Sequence, residues 1–447
     1  MGKLPKRQEI REELKWRLED IYATNQDWEQ DLEKAKASRE KVESLRGTIK
    51  SGKSLLTALQ VHDELGVLLG HLISYAQMRK DEDNANSLYQ GYAAQATAAA
   101  VELSAAGAFL EPEILDLEQE VVRGWIKEVP GLAVYEHYLE NLFRMKEHTL
   151  PAEQEELLAA AGEIAEAPGN IFRMFNNADL KFPNVENDAG EMVELTHGRY
   201  IKLLESKKRE VRKGAFEAMY NTYGSWKNTL GTTYLAAVKK ELYFSKVRKY
   251  DSSLEMALDV DNVPPEVYTN LIDSIHSHLH LLHRYVRLRT KLLGLDQLHM
   301  YDLYVPMVQD QHLEIPREEA IAMVQEGLQP LGAEYLKDLN RSFQDGWIDW
   351  TESRGKTSGA YSWGTYGVHP YVLLNYQETL DNVFTLAHEL GHALHTYYSN
   401  KSQEFINSQY TIFVAEVAST LNEAILIDHL LKKTEDPQRR AYLLNHY

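Results

Sequence analysis

The 447-residue chain contains no cysteine. It therefore has no disulfide framework, which is typical of proteins kept in a reducing compartment. Residues 1–9 carry several charges and lack the apolar core of a signal peptide. No stretch is expected to reach the apolar length of a membrane span. Together these absences predict a cytoplasmic protein that has no membrane partner.

Basic side chains are also few relative to acidic ones. The chain has 48 Lys and Arg against 67 Asp and Glu, which gives a net charge of −19 with neutral histidines. A surface of this sign repels phosphate backbones, so nucleic acid is excluded as an expected partner. The length allows a large buried core and suggests two or three lobes. These bulk properties identify no substrate and predict no oligomeric state.

One zinc-hydrolase signature is present: residues 388–392 read His-Glu-Leu-Gly-His. On an α-helix, His388 and His392 lie about 40° apart around the axis and roughly 6 Å apart along it, so both imidazoles can bind one tetrahedral Zn²⁺. Glu389 lies on the flank of that face, where it can accept a proton from a metal-activated water. Residues 383–398 contain no proline and carry an apolar helical stripe, which supports a buried helix.

A third protein ligand has to come from elsewhere in the chain. Metzincins place a glycine three residues after the second histidine and a histidine six residues after it, but His395 and Tyr398 occupy those positions here. That class is therefore excluded. His395 lies roughly 10 Å of helical rise from His388, too far for both to bind one ion. Two interpretations of His395 remain open: it supports a ligand by hydrogen bonding, or it is a core histidine.

The helix after the signature is the better source of a ligand. The polar residues 399–404 are predicted to end the first helix, and Asn407 or Ser408 is predicted to cap a second one over residues 409–428. If this second helix returns antiparallel to the first, the residue level with His392 lies about eight positions after its start.

That count selects Glu416 as the third metal ligand. Glu423 lies two turns further along the same face, and roughly 10 Å is too far for direct binding. Glu423 is therefore predicted to hold a ligand imidazole in its tautomer. Two solvated carboxylates are the alternative, which the apolar neighbours of both residues disfavour.

The rest of the chain predicts a mainly helical protein. Residues 27–115, 200–247 and 264–293 have helical patterns, whereas residues 182–196 contain turn residues between short apolar runs and predict a β-hairpin. The fold class expected is all-α, with a small β-sheet next to the zinc helix. The domain boundary is placed at this hairpin, which gives a helical lobe over 1–185 and a catalytic domain over 186–447.

With these motifs in view, the chain resembles the oligoendopeptidase F family, zinc peptidases of the M3 clan related to thimet oligopeptidase. The resemblance covers the whole chain and rests on several motifs: residues 13–22, 288–295, 299–304, 358–367, the zinc helix and 413–423. It implies a two-lobed zincin-type fold with His388, His392 and Glu416 as zinc ligands. It also implies that Glu389 is the general base and acid.

The segment before the zinc helix is expected to bind substrate. Residues 362–367 form a glycine-punctuated aromatic loop, and residues 369–376 have a β-like pattern. The resemblance implies that these are the family's flexible glycine-tyrosine loop and the edge strand that pairs with an extended peptide. Tyr366, His369 and Tyr371 are the side chains expected to contact substrate there. A core strand followed by an ordinary loop remains the alternative.

The expected function is a zinc-dependent endopeptidase that hydrolyses short unstructured oligopeptides with one Zn²⁺ per chain. Cobalt or manganese can occupy such a ligand set as well. A helical zinc carboxypeptidase is the alternative within enzymes, although residues 358–423 offer only Lys401 as a cation for a terminal carboxylate. A peptide-binding protein with little turnover is the alternative outside enzymes.

The family pattern also continues beyond Tyr447. Relative to that pattern the chain lacks a C-terminal helical segment with a histidine and tyrosines near the zinc. The expectation is that the chain folds and binds zinc but hydrolyses peptides far more slowly than a full-length relative, since one donor to a developing oxyanion is typically worth roughly 10²–10³ in rate.

Overall fold

A computed structural model describes residues 5–446 except 152, 153, 155, 156, 159, 160 and 309–313. The chain forms two compact units. The first contains Met1–Lys146 and His312–Tyr447, and the second contains Glu147–Gln311. The predicted boundary between residues 185 and 186 lies inside the second unit, and as a functional division it stays a prediction.

The N-terminal part of the first unit is helical, as the sequence pattern of residues 27–115 predicts. Its helices are α1 (Asn25–Glu43), α2 (Gly52–Glu82), α3 (Ser87–Gly107), α4 (Leu110–Leu115), α5 (Gln119–Glu128) and α6 (Glu136–Arg144). Thr24 and Ser51 accept hydrogen bonds from backbone N–H groups in the first turns of α1 and α2, which explains where these two helices begin. Buried alanines of α3, including Ala96 and Ala99, let it pack closely on α1 and α2.

One apolar helical stretch corrects an expectation from the sequence. Ser87–Leu115 is long and apolar enough to cross a membrane by length and composition alone. The expectation that no stretch reaches this length was therefore wrong. A core helix of a helical lobe passes the same test, and α3 buries Tyr92 and Leu103 in the first unit, so the stretch is weak evidence for a membrane span.

The described residues of the second unit are helical with one hairpin, which confirms the pattern over 182–196. Strands β1 (Asn184–Glu186) and β2 (Met192–Glu194) pair antiparallel, with Val185 opposite Val193. The helices are α7 (Gly162–Ala165), α8 (Ala167–Met174), α9 (His197–Leu204), α10 (Arg209–Ser225), α11 (Lys227–Val247), α12 (Ser253–Asp259) and α13 (Pro265–Leu292).

The C-terminal part of the first unit contains the predicted small sheet. Strand β5 (Tyr371–Leu373) lies between β3 (Ile348–Asp349), to which it is parallel, and β4 (Tyr361–Trp363), to which it is antiparallel. The expectation that residues 369–376 form the edge strand was therefore wrong. Strand β5 pairs with β3 on the side that was expected to be free for a peptide. The edge strand next to the zinc-signature helix is instead β4, which lies in the segment predicted to be a loop.

The remaining helices surround the metal signature. They are α14 (Arg317–Gly327), α15 (Ala333–Gln344), α16 (Leu380–Ser402), α17 (Ile412–Lys433) and α18 (Pro437–His446). Thr379 caps α16, since its side chain accepts from the Asn382 N–H. The predicted caps of α17 were wrong: Asn407 and Ser408 close a separate short turn, and α17 begins after Thr411.

The apolar face of α16 explains its central position. Val383, Leu386, Leu390 and Leu394 are fully buried, in a core cluster that α14, α15 and α17 share. Helices with small interspersed sheets make up the fold, so the predicted mainly helical class is confirmed. The histidines of the signature therefore lie on a helix that packs against α14, α15 and α17.

Candidate metal centre

Two helices, α16 and α17, bring the polar side chains of the site together. Their backbones are in close contact at Gly391, where an added Cβ would lie 2.6 Å from Ser419 Cα and 2.7 Å from the Ala418 carbonyl oxygen. No other residue type fits at such a distance without moving backbone. The glycine between the two signature histidines therefore allows α17 to reach the face that carries them.

Three side-chain donors meet at this crossing. His388 Nε2 and His392 Nε2 are 3.2 Å apart, and Glu416 Oε2 lies 3.5 Å from the first and 3.4 Å from the second. Tetrahedral zinc with bonds of about 2.0–2.1 Å separates its ligand atoms by roughly 3.3–3.4 Å. The three donors match this spacing, and among the described residues they form the group of His, Cys, Asp and Glu side chains that could hold a metal ion.

Each donor is oriented by a neighbour on α17. Glu423 Oε1 lies 2.5 Å from His388 Nδ1, which directs the other ring nitrogen of His388 toward Glu416. The ring of His392 hydrogen-bonds to the backbone carbonyl of Ala415. Ser419 Oγ donates to Glu416 Oε2 at 2.7 Å. Such outer partners fix the tautomers and rotamers of ligands before a metal arrives.

The third donor faces solvent more than the two histidines do. The Glu416 side chain is 56 % exposed, against 28 % for His388 and 18 % for His392. The hydrogen bond from Ser419, helped by the nearby histidines, lowers the pKa of Glu416 despite an opposing contribution from desolvation. A site with one open side and an ionised carboxylate can accept a cation together with a further ligand, which a catalytic metal requires.

Glu389 lies beside the donors but differs from them in environment. It is buried, with 8 % of its surface exposed. Burial raises its pKa to about 7, and the charge of Glu416 acts in the same direction, whereas His388 and the backbone N–H of Ser362 act against them. A carboxyl with a pKa near neutrality can both accept and release a proton, which general acid–base chemistry requires.

Several residues of the centre were missed in the sequence. Ser419 and Asn422 are small polar residues inside an apolar helix, and both are buried. Asn422 Nδ2 donates to the Ala387 carbonyl at 3.0 Å and thereby ties α17 to α16, while Tyr335 donates to Asn422 Oδ1 at 3.0 Å. The signal available in sequence was their spacing from Glu416, three and six residues along one helix.

Comparison with known proteins identifies the family of this centre. The sequence profile of Peptidase family M3 matches residues 202–447, which includes all three donors and Glu389. The profile described as Oligopeptidase F matches residues 113–182. The chain belongs to peptidase family M3. It is a metallopeptidase of the oligoendopeptidase F group, as the resemblance in its motifs predicts.

Individual relatives support the same family. The chain is similar to Oligopeptidase PepF of Bacillus subtilis, with 43 % identity over all of this chain and 67 % of that protein. The structure of a peptidase from Chlamydophila abortus matches with a TM-score of 0.89 and 31 % identity, over 99 % of this chain and 75 % of that one. Oligoendopeptidase-F from Enterococcus faecium matches with a TM-score of 0.67 and 36 % identity, over 95 % and 70 %.

In this M3 peptidase, no hydrogen bond or ion pair among the described residues joins His395 to the three donors. Its ring stacks on Tyr410 with centroids 3.7 Å apart, and Tyr410 in turn hydrogen-bonds to Thr396 at 2.7 Å. Burial, and to a lesser degree His392, lowers the pKa of His395. Of the two interpretations left open for His395, this geometry fits the core histidine.

The three predicted substrate contacts lie in different surroundings. Tyr371 is fully buried and donates to the Arg17 carbonyl at 3.1 Å, so its side chain offers no surface to a substrate. The ring of His369 stacks on Trp347, and its Nε2 lies 2.9 Å from Asp20. Both side chains therefore tie the N-terminal segment to the sheet, which a sequence pattern could not indicate.

Tyr366 is half-buried, unlike the fully buried Tyr371. Its hydroxyl donates to the Gln403 carbonyl at 2.9 Å, and its ring lies edge-on to Phe405. It belongs to the turn after β4, where Gly367 has a φ of +83° that favours glycine. Substrate binding by Tyr366 stays a prediction.

Proposed function

We propose that this chain is a zinc-dependent endopeptidase that hydrolyses short, unstructured peptides, with His388, His392 and Glu416 as the ligands of one Zn²⁺. The observation that supports this most strongly is the triangle of donor atoms, 3.2–3.5 Å on each side. Its donors are two imidazoles and one carboxylate, which zinc accepts in its catalytic sites. When bound there, zinc supplies a Lewis acid next to Glu389.

Glu389 is proposed as the group that moves the proton. Its carboxylate accepts a proton from the attacking water and delivers it to the nitrogen of the leaving amine. The buried position supports this role, because burial raises the pKa of Glu389 to about 7 and leaves the carboxyl able to act in both directions. Glu423 supports the reaction indirectly, since it holds the ring of His388.

Strand β4 is proposed as the surface that aligns the peptide. The Val372 N–H donates to the carbonyl of Trp347, the residue before β3, so the backbone groups of Val372 face β3. Ser362 pairs with Val372, so its own backbone groups face away from β5. That outward edge carries the Ser362 N–H that hydrogen-bonds to Glu389. A peptide that extends this edge would place its backbone beside the proton carrier, whatever its side chains.

Short peptides are proposed as substrates for two reasons. The relatives named above include an oligopeptidase and an oligoendopeptidase. The edge strand spans only Tyr361–Trp363, so it can align a few residues of an extended chain. Folded proteins have few such free extended segments, and we expect them to be poor substrates.

The carboxypeptidase alternative has no supporting observation. Such an enzyme needs a cation to bind the terminal carboxylate of its substrate. In the sequence of residues 358–423, Lys401 is the single lysine, and there is no arginine. Its Nζ lies over the rings of Tyr397 and Tyr398, at 5.6 and 6.0 Å from their centroids. This cation is engaged with aromatic rings, so the endopeptidase is the function we retain.

A peptide library tests the proposal. Peptides of graded length, blocked at both ends, are incubated with the chain before and after chelation, and the products are mapped by mass spectrometry. We expect internal cleavage of short peptides that chelation abolishes and added Zn²⁺ restores. Cleavage that survives complete metal removal would contradict the zinc-dependent mechanism, and cleavage only of peptides with free C-termini would support the carboxypeptidase.

A further inference from the structure

Helix α2 of the N-terminal region runs along the segment that contains β4. Three of its polar residues contact that segment in order. Asp81 accepts hydrogen bonds from Thr357 Oγ1 and from the Tyr361 hydroxyl, each at 2.8 Å. Ser74 Oγ accepts from the indole N–H of Trp363 at 2.8 Å. The contacts therefore reach both ends of the edge strand.

The third contact holds the turn that follows. His71 Nε2 lies 2.6 Å from the backbone carbonyl of Tyr366. A carbonyl oxygen only accepts, so the ring nitrogen of His71 is the donor. Residues 71, 74 and 81 are three and seven positions apart, which places them on one face of a helix. This face will be called the α2 row, defined as His71, Ser74 and Asp81.

The α2 row consists of groups that are costly to leave without partners. Ser74 and Asp81 are 3 % and 6 % exposed. Removing a buried acceptor leaves its donor unsatisfied, which costs more than a typical exposed hydrogen bond. The segment opposite would otherwise be adaptable, because Gly364 and Gly367 flank Tyr366 and Gly367 adopts a positive φ.

The same segment is fixed to the metal helix on its other side. An added Cβ at Gly364 would lie 2.3 Å from Thr396 Cγ2 on α16, so the backbone at Gly364 packs directly against the Thr396 side chain. The Ser362 N–H hydrogen-bonds to Glu389, also on α16. Any shift of β4 away from α2 would therefore move the peptide-aligning edge relative to Glu389.

We propose that the α2 row is a positioning device for substrate: His71, Ser74 and Asp81 hold β4 and the turn at residues 364–367 in the place where a peptide binds. This inference rests on the proposed function, in which β4 aligns the peptide. The row touches neither the peptide nor the metal donors. It acts through the strand, so its loss should weaken peptide binding and leave the metal centre intact.

His71→Phe tests the positioning role of the α2 row, because it keeps a ring of similar size and removes the N–H that donates to the Tyr366 carbonyl. We expect KM for a blocked peptide to rise about fivefold, the effect of losing one hydrogen bond, with kcat changed less than twofold and zinc content unchanged. His71→Gln retains an N–H donor and should recover most of the wild-type KM. His62→Phe, at an exposed position of the same helix, is the matched control and should have no effect.

Amide hydrogen exchange gives a readout that is independent of turnover. In His71→Phe, exchange should accelerate in residues 364–367 and stay unchanged in α17. Ser74→Ala is a second variant, expected to raise KM and to accelerate exchange in residues 361–363. Unchanged KM and unchanged exchange in both variants would overturn the proposal, as would a His71→Gln variant as impaired as His71→Phe.

Failure of the proposed function would look different. If the wild-type chain cleaved no peptide, the proposed function would fail, and the exchange comparison would still decide whether the α2 row holds the segment. If the wild-type chain cleaved peptides while the variants exchanged and cleaved like it, the proposed function would stand and the positioning proposal would fail.

Discussion

Gly391 and Ser419 meet in a close backbone contact between the two helices that carry the donor triangle, and a Cβ on Gly391 would overlap Ser419 Cα at 2.6 Å. The contact links the signature helix to the helix that provides Glu416. The atoms in the way belong to backbone, so they cannot rotate aside. The separation of α16 and α17, and with it the size of the donor triangle, depends on this glycine.

Gly391→Ala should therefore weaken both folding and metal binding. We expect a loss of about 1–3 kcal/mol in the free energy of unfolding, the range for overpacked cores, together with reduced zinc affinity because Glu416 moves away from the histidines. Gly124→Ala in α5 is the matched control, since an added Cβ there meets open space. That variant should gain about 0.5–1 kcal/mol from lower backbone entropy in the unfolded chain. Urea unfolding and zinc titration measure both effects, and equal behaviour of the two variants would contradict the close-approach argument.

The two carboxylates of α17 should differ in their effect on metal affinity. Glu416→Ala removes a proposed ligand and should lose most bound zinc. Glu423→Ala removes the partner of His388 Nδ1 and should weaken zinc binding by about 10–100-fold, as outer partners typically do. Competition with a chromophoric chelator measures both affinities. The reverse order would require the two roles to be exchanged.

Periodicity explains why the sequence indicated these two residues although the start of the second helix was misplaced. Helix α16 ends at Ser402, inside the polar stretch predicted to end it, whereas α17 begins at Ile412 and not at residue 409. A seven-residue spacing still keeps Glu416 and Glu423 on one face, and that face meets α16 wherever the loop ends. Helical periodicity is a local property, so a sequence alone can predict which residues share a face of a helix.

Non-local pairing accounts for what the sequence did not predict. Strand β5 is central because Val372 pairs with Ile348, 24 positions earlier, and nothing in residues 369–376 indicates this partner. The burial of Tyr371 follows from that pairing and from its bond to Arg17. His71 contacts Tyr366 across 295 positions, so its role became visible only in three dimensions.

The second unit should show an acid-dependent stability that originates at Asp302. This residue is fully buried; desolvation tends to raise its pKa, but hydrogen bonds from Arg209 and Arg212 outweigh it and hold the pKa below the usual 3.8. Because the folded-state pKa is lowered, the stabilisation is present above the unfolded-state pKa and is lost as pH falls through the folded-state pKa. Asp302→Asn leaves buried arginine charge without its partner, so it should cost about 3–5 kcal/mol at pH 7.

The pH profile of that variant provides the check. The difference in unfolding free energy between wild type and Asp302→Asn should be constant near neutrality and should shrink below the usual aspartate pKa of 3.8. Denaturant unfolding across this range, followed by a probe in residues 147–311, measures it. If the difference in unfolding free energy did not change with pH, the charge of Asp302 would contribute nothing to stability.

Glu389→Gln should separate metal binding from turnover. The substitution keeps the size of the side chain and removes the group that accepts the proton, so we expect about 10²–10⁴-fold lower kcat with unchanged zinc content. Glu435→Gln, at an exposed position outside the metal centre, is the matched control and should retain full activity. Near-normal activity of Glu389→Gln would eliminate Glu389 as the general base.

Zinc titration of the metal-free chain measures whether peptide cleavage depends on one bound zinc ion. Zn²⁺ is added to protein stripped with a chelator while cleavage of an internally quenched peptide, blocked at both ends, is followed. We expect no cleavage without metal, and a rate that rises in proportion to added zinc and levels off at one equivalent, the stoichiometry of a single site. Cleavage of the blocked peptide by fully metal-free protein, or no cleavage at any zinc concentration, would contradict the proposed zinc-dependent endopeptidase.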